Sequence, residues 1–467
     1  MTFEKRQLPL KSKNLSDWYT AVVQLAELAD YGPVKGTMIF RPYGYALWEL
    51  LQKYMDPLIK AAGVDNAYFP MFIPESLINK EKAHIEGFSP ELAVVTMAGG
   101  EELKERLVIR PTSETIMYES YAKWIQSWRD LPMEMNQWNN VVRWNKRTYL
   151  FMRTSEFLWQ EGHSAHATHE QSLERVNWAI NMYTKTYQDL FAIPGFMGRK
   201  SESEKFAGGD MTMTYETLMP EGKALQACTS HDLGQNFSKA QNIKFQDKDG
   251  EQKYVWQNSW GFSTRSLGPV IMAHGDDAGL VFPPKIAPIQ VVIIPVTLDE
   301  HVITACQKLA HDLVDLRVKI DTREGESLGY KINKWELKGV PLRIEVGKRE
   351  IESGRFKMVR RDTGQVVDGK VSEILETIQK DMLTKQEKFL ADNTFSADSY
   401  DKFKEIMKTT RGFIHAFWCE DEACETKIKE ETKASIRCLP ENAKEEKGKC
   451  IYCGRDAKFQ WLFAQAY

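Results

Sequence analysis

Two adjacent prolines, Pro283 and Pro284, mark a boundary at which the apolar pattern changes and a new domain is expected to begin. Before them, from about residue 105 to 275, the apolar segments read mostly as strands joined by short helices: Leu107-Val108-Ile109-Arg110, residues 164–168, and Val255-Trp256-Gln257-Asn258-Ser259-Trp260. That pattern suits a mixed, largely antiparallel sheet. After them Ile289-Gln290-Val291-Val292-Ile293-Ile294-Pro295 reads as a buried strand. A helix over 302–316, a strand over 318–321, a helix over 328–338, strands over 342–346 and near 356–360, and a helix from Val371 follow, an alternation that implies a small α/β domain with helices covering a central sheet. A chain of 467 residues is too long for one hydrophobic core. The expectation is a multidomain α+β and α/β protein divided at 1–284, 285–385 and 386–467.

Two amphipathic helices are expected near the start, one over residues 15–30 (Trp18, Val22, Val23, Leu25, Leu28) and one over 45–61 (Leu47, Leu50, Leu51, Met55, Leu58). Residues 67–74 follow as a short apolar strand closed by prolines, which cannot continue a ladder. A polar helical stretch over about 380–408 leads to the carboxyl-terminal segment. Hydrophobic residues at 42% and charged residues at 27% exclude a disordered chain, and no apolar run reaches the ~18 residues of a membrane span. Residues 1–9 carry charges with no apolar core behind them, which argues against a secretory signal and for the cytoplasm. With a net charge of -3, any nucleic acid has to be met by a local basic patch.

Five of the seven cysteines fall in the last fifty residues. Cys419-x4-Cys424, 25 intervening residues and Cys450-x2-Cys453 have the paired spacing of a four-thiolate zinc site, and with no position left for water the metal would be structural. Cys438 is the spare. His163, His166 and His169 also recur at a regular interval, but a strand and turn explains them better than a metal.

The most specific segments are Trp138-Asn139-Asn140-Val141-Val142-Arg143-Trp144 and Arg153-Thr154-Ser155-Glu156-Phe157-Leu158-Trp159-Gln160-Glu161-Gly162-His163. Together with Ser259-Trp260-Gly261-Phe262-Ser263-Thr264-Arg265 they resemble the second and third signatures of class II aminoacyl-tRNA synthetases in the prolyl form. Taken singly, such arginines are ordinary surface ion-pair partners. In these contexts the resemblance implies that Arg143 grips the α-phosphate of ATP and the substrate carboxylate, that Arg153 supports the nucleotide, and that Arg265 stacks on adenine and reaches the γ-phosphate. It also assigns Gln226, Thr229 and Ser263 to ATP and its magnesium. Forcing a carboxylate onto a phosphate needs fixed positive charge, and the guanidinium fork supplies it. No phosphate-cradling glycine loop is present, so the nucleotide must be held some other way. The family usually has an acidic residue two places after the first arginine, where this chain has Asn145.

In Arg110-Pro111-Thr112-Ser113-Glu114-Thr115 the resemblance assigns Thr112 and Glu114 to the nitrogen of proline. A secondary ammonium has two N–H donors, which a hydroxyl and a carboxylate satisfy, whereas a primary ammonium would keep a third donor buried and unpaired. Thr-Ser-Glu is also a common helix start. Trp159, Glu161, His163, Phe206, His231 and Gly261 match the remaining pocket positions. Farther on, Glu336, Arg343 and Arg349 match positions that read a proline anticodon, a single-stranded RNA task suited to carboxylates and guanidinium forks, with Arg355, Lys357, Arg360 and Arg361 as possible backbone contacts.

The resemblance spans nearly the whole chain and is to the archaeal/eukaryotic type with a zinc-binding carboxyl-terminal domain. It implies a class II antiparallel catalytic core, an α/β anticodon-binding domain, a homodimer built on the first class II signature, which the helix over 45–61 and the proline-closed strand over 67–74 resemble, and ATP, Mg2+, L-proline, tRNA(Pro) and structural Zn2+ as ligands. The stretch between Arg153 and Arg265 is too short for the bacterial-type editing insertion. The rivals are a sister enzyme such as the threonyl form, which uses a zinc in its catalytic pocket, and a non-catalytic paralogue that only binds tRNA.

Overall fold

A computed structural model describes residues 8–79, 92–145 and 148–467. Of the amino-terminal segment read above as lacking a signal core, residues 1–7 lie outside the described residues. Among the described residues the largest sheet has eleven strands. Its first-domain strands lie in the order Gly195–Arg199, Met211–Leu218, Ala224–Gly234, Trp256–Ser263, Glu156–His166, Met133–Val142 and Asp65–Asn66. They pair antiparallel, except at the Asp65–Asn66 edge.

Strand alternation gives this sheet two different faces. On one, Gln160, Asn258, Trp260 and Phe262 meet the helix His169–Lys185. The helix buries the stripe Val176, Ala179, Ile180 and Tyr183. Tyr183 donates to Gln160 Oε1 at 2.6 Å, Asn258 Nδ2 donates to Ser172 Oγ at 3.0 Å, and Trp178 meets Trp260 edge-on at 5.6 Å. Each buried apolar side chain in such a seam contributes about 1.5–3 kcal/mol. Gly162 is required there, because a Cβ would fall 2.1 Å from the Trp260 ring. Only short helices are expected in this region from sequence, yet this one runs 17 residues from its Thr168 cap. Its polar outer face, with Glu170, Gln171 and Glu174, dilutes the apolar stripe.

The entry helices are Leu15–Leu25 and Pro42–Ala61, the second burying Leu47, Trp48, Leu51, Met55 and Ile59. The strand expected over 67–74 is shorter, Phe72–Pro74, and belongs to a separate three-stranded sheet with Ala93–Ala98 and Glu101–Ile109. After the Pro283-Pro284 pair comes a five-stranded sheet ordered Val318–Ile320, Val291–Pro295, Leu342–Val346, Lys357–Arg360 and Val366–Val367. The first three strands are parallel and the last two antiparallel. The helix Val371–Asp392 passes without a break through residue 385, where a domain boundary was expected. Its Gln379 and Gln386 donate to Asp189 O and Ala273 O of the first domain.

The carboxyl-terminal segment does not stand apart. Its strands Thr394–Ser396, Phe413–Trp418, Phe459–Gln465 and Ala434–Pro440 continue the large sheet, the last pairing Leu439 with Arg199 and Pro440 with Gly198. Beneath that seam the fully buried Glu216 accepts from Lys200 Nζ at 2.8 Å and from Arg437 Nε and Nη2 at 2.9 and 2.7 Å. Burial alone would raise the Glu216 carboxyl, but the two cations hold it below its ordinary value.

Candidate active site

The face opposite the long helix lines a cavity of about 400 Å³. Register builds it. Glu161 lies opposite Gly261, which lies opposite Thr229, and the next row runs His163, Ser259, His231 and Thr212. Gln226 and Thr229 are an odd number of residues apart and would face opposite sides of a regular strand. A bulge at Tyr215/Glu216, where Tyr215 pairs with Cys228 and Glu216 with Gln226, leaves Ala227 extra and turns both toward the cavity. The cavity is lined by Thr112, Glu114, Arg143, Arg153, Trp159, Glu161, His163, Phe206, Gln226, Thr229, His231, Gly261, Ser263 and Arg265, every residue that sequence assigned to ATP or the amino acid, and by Asn145. It is also lined by Glu204, Thr212, Phe157 and Ser259, which sequence reading did not single out.

The deepest part is a carboxylate network. Glu161, 1% exposed, accepts from Ser113 Oγ at 2.5 Å, Asn139 Nδ2 at 2.7 Å, Ser113 N and Gln137 Nε2 at 3.1 Å, and pairs with His163 Nε2 at 3.0 Å. Burial would raise its pKa, but His163 and the hydroxyl and amide donors more than offset this and hold it below the carboxylate range. Burial likewise opposes protonation of His163, yet the charges of Glu114 and Glu161 raise its pKa. Thr112 donates its hydroxyl to Glu114 Oε2. The helix Glu114–Trp124 does start at this motif with Ser113 at the cap position, but the Ser113 hydroxyl is directed to Glu161 instead of the helix end.

Farther out, Arg143 donates through Nε to Pro111 O at 3.0 Å and lies over the rings of Phe157 and Trp159 at 5.5 and 5.4 Å. Arg153 is at the exposed rim. Arg265 follows the Trp256–Ser263 strand, and its buried Nε has no hydrogen-bond partner among the described residues. Burial, more than the like charge of Arg153, lowers its pKa. Arg265 lines the cavity, and a guanidinium with an unpartnered donor is suited to an anion. His231 is gripped on both nitrogens by Thr212 Oγ1 at 2.9 Å and Thr229 Oγ1 at 3.0 Å, and Phe206 covers it with ring centroids 4.5 Å apart. A Cβ on Gly261 would stand 3.2 Å from the Trp159 ring.

The three regularly spaced histidines do not converge. His163 faces Glu161, His166 lies 3.5 Å from Glu134 with burial lowering its pKa to about 4, and His169, the first residue of the long helix, meets Asp232 at 2.7 Å and stacks on Trp256.

In the carboxyl-terminal segment the sulfurs of Cys419, Cys424, Cys450 and Cys453 lie within 4.8 Å of one another, with Cys419 3.7 Å from both Cys424 and Cys453. A tetrahedral metal with sulfur bonds of about 2.3 Å needs edges of about 3.8 Å, so the donor set fits zinc. Arg455 donates to Cys453 Sγ at 3.2 Å and to Asp421 at 2.5 Å. Cys438 is buried elsewhere, packed with Leu218, Phe413 and Leu462.

In the α/β domain, Glu336 and Arg343 share a cleft of about 250 Å³, and Arg343 donates to Glu336 at 3.3 Å and to Glu345 at 3.0 Å. Arg349 is exposed on the short helix Lys348–Ser353 and does not line that cleft. Arg360 forms a two-point pair with Asp362 and also meets Asp381, while Arg361 forms a two-point pair with Asp276 of the first domain. Expected as phosphate contacts, both are engaged inside the protein.

The sequence matches the family described as "tRNA synthetase class II core domain (G, H, P, S and T)" over residues 95–274 and "Anticodon binding domain" over 290–381. The fold, the signatures and these matches define a class II aminoacyl-tRNA synthetase. Residues 400–467 match "Prolyl-tRNA synthetase, C-terminal". The chain is 49% identical to the proline–tRNA ligase of Natranaerobius thermophilus, covering 99% of this chain and 98% of that one, and 50% identical to that of Chlorobium luteolum, covering 99% of both. A crystal structure of prolyl-tRNA synthetase from Cryptosporidium parvum, complexed with halofuginone and AMPPNP, superposes with a TM-score of 0.94 at 43% identity over 98% of this chain and 99% of that one. The chain belongs to the prolyl-tRNA synthetase family.

Proposed function

We propose that this protein attaches proline to tRNA(Pro) at the expense of ATP, passing through prolyl-adenylate. The observation that carries this reading is the single cavity in which three arginines meet the Thr112, Glu114 and Glu161 group. The proline ring packs between Trp159, Phe206 and His231 above Gly261, while Thr112 and Glu114 take its two N–H donors. A hydroxyl and a carboxylate already within hydrogen-bond reach of each other are placed to converge on one nitrogen. Arg143, steered by Pro111 O and its two rings, holds the carboxylate of proline against the α-phosphate of ATP. Arg153 supports the nucleotide, and Arg265 offers its unpartnered Nε to the triphosphate. Gln226, Thr229 and Ser263 complete the ATP and Mg2+ site.

The carboxylate oxygen attacks the α-phosphorus as the bond to pyrophosphate breaks. The 3' hydroxyl of tRNA then attacks the adenylate carbonyl and releases AMP. No protein nucleophile is required, since proximity and fixed charge supply the acceleration. A pocket zinc of the threonyl kind is disfavoured, because Glu161 and His163 bind each other and the remaining Glu161 lone pairs are filled by amides and hydroxyls.

Glu336, Arg343 and Arg349 are read as anticodon contacts. Cys419, Cys424, Cys450 and Cys453 hold a structural Zn2+ whose role is to fix the surrounding segment. A cytoplasmic homodimer is the form proposed for the protein. No described helix is long and apolar enough to cross a membrane.

Proline-dependent exchange of labelled pyrophosphate into ATP, assayed beside alanine, cysteine and threonine, tests this function. Proline should give the largest kcat/KM. Strongest exchange with threonine would favour the sister enzyme, and tRNA binding with no exchange would favour a non-catalytic paralogue.

A further inference from the structure

The loop between the strands Gly195–Arg199 and Met211–Leu218 brings Glu204 and Phe206 to the cavity, and it is held from the carboxyl-terminal segment. Glu425, in the helix Glu422–Thr432 and 5% exposed, accepts from Ser203 Oγ at 2.5 Å and from Ser201 Oγ at 3.4 Å. One turn later Lys429 Nζ lies 3.3 Å from Glu204 Oε1. Cys424, immediately before Glu425, is one of the four clustered thiols. Asp421 caps the same helix by accepting from Ala423 N at 2.8 Å while it also accepts from Arg455. The residue that grips the pocket loop is therefore the sequence neighbour of a metal-ligand position.

We propose that Glu425, assisted by Lys429, is a positioning residue for the amino-acid pocket, and that the four-cysteine site, by fixing the start of this helix, sets how firmly residues 200–210 close over bound proline. This rests on the reading of the cavity as a proline site and of the cysteines as a metal site. A loop already ordered before the ligand arrives removes part of the ordering cost from binding. A buried carboxylate accepting two hydroxyls restrains it strongly, whereas the partly exposed Lys429–Glu204 pair is screened and contributes less.

The test uses the full-length, metal-loaded protein and the variants Glu425→Ala, Glu425→Gln, Ser203→Ala and, as a control on the same helix, Lys427→Ala, whose partner is Glu430. Hydrogen–deuterium exchange of residues 200–210 is measured together with KM and kcat in pyrophosphate exchange. Glu425→Ala and Ser203→Ala should speed amide exchange in the loop and raise the KM for proline roughly tenfold, the size of one lost charge-assisted hydrogen bond, with kcat and the KM for ATP unchanged. Glu425→Gln, which keeps an accepting oxygen, should recover much of the loss, and Lys427→Ala should match wild type. A chelator should speed loop exchange in wild type and add little in Glu425→Ala. Should Glu425→Ala fail to fold, Ser203→Ala reads the same contact from the loop side. Unchanged loop exchange, or a faster loop with an unaltered proline KM, overturns the proposal. Absence of proline-dependent exchange in wild type overturns instead the reading of the pocket, and leaves the amide-exchange result to stand alone.

Discussion

The catalytic cavity and the cleft of the α/β domain both gather arginines and carboxylates, but they use them in opposite ways. In the cavity Glu161 is bound to neutral donors and to His163, while Arg265 Nε and Ser259 Oγ are left without partners among the described residues. In the cleft Arg343 is tied to Glu336 and Glu345, Arg360 to Asp362 and Asp381, and Arg361 to Asp276. A site with an unpartnered cationic donor gains more from an incoming anion, whereas a site of closed ion pairs must first open them. On the reading proposed for the two sites, the contrast suits the first to tight charge stabilisation and the second to a weaker, exchangeable contact.

The sharpest way to break that contrast is Arg265→Ala. Its Nε bonds to nothing among the described residues, so the thermal midpoint should hardly move, while kcat of proline-dependent exchange should fall roughly 10²–10³-fold, as for other fixed donors to a developing anion. A loss of stability without this kinetic loss would show the guanidinium to be structural.

Next in size is Glu161→Gln, read through pH. Glu161 titrates below its ordinary value of 4.5, so its contribution to stability is complete above 4.5 and is lost as pH falls through the lower folded value. His163 titrates above 6.5, so its contribution is complete below 6.5 and is lost as pH rises through the higher folded value. Both are complete between 4.5 and 6.5, where the urea midpoint of wild type should exceed that of Glu161→Gln by an amount worth about 1–3 kcal/mol. The gap should narrow on both sides. A gap constant above pH 6.5 would mean that His163 is not held in its charged form by Glu161.

Arg343→Ala should be milder and should appear in a different assay. The KM for tRNA in aminoacylation should rise roughly tenfold, because the pair with Glu336 is surrendered along with the proposed RNA contact, and pyrophosphate exchange should be unaffected. An equal loss in both assays would end the separation of the two sites.

Much of this was legible in the sequence because its motifs are local. The strand Leu342–Val346 and the helix Leu328–Leu337 lie where alternation and periodicity placed them, within a residue. The residues assigned to ATP and proline come from separate segments, some in strands, Phe206 in a loop and Glu114 at a helix start, yet all line one cavity. What stayed hidden depends on contacts between distant segments. Nothing near Ala227 announces a bulge, and nothing near Leu439 announces that it extends a sheet begun hundreds of residues earlier. The engagement of Arg361 likewise needs Asp276, remote from it in sequence, and Arg360 adds Asp381 to its neighbour Asp362. A basic run alone cannot tell a phosphate contact from an internal clasp.

The smallest expected effect belongs to Asn145, which lines the cavity where the family resemblance leads one to expect an acid. An amide oxygen can accept a hydrogen bond from an adenine amino group, and a carboxylate would accept it more strongly, since charge-assisted bonds are about twice as strong as neutral ones. The same carboxylate would stand in a cavity that also receives a triphosphate, so Coulomb repulsion works against the gain. With Arg143, Arg153 and Arg265 lining that cavity as well, the hydrogen bond should prevail. Asn145→Glu is therefore expected to lower the KM for ATP by roughly two- to threefold and to leave the KM for proline alone, measured by exchange at saturating proline and then at saturating ATP. A rise in the KM for ATP would show that repulsion dominates at this position, and would make the asparagine an accommodation to the triphosphate instead of a weakened contact.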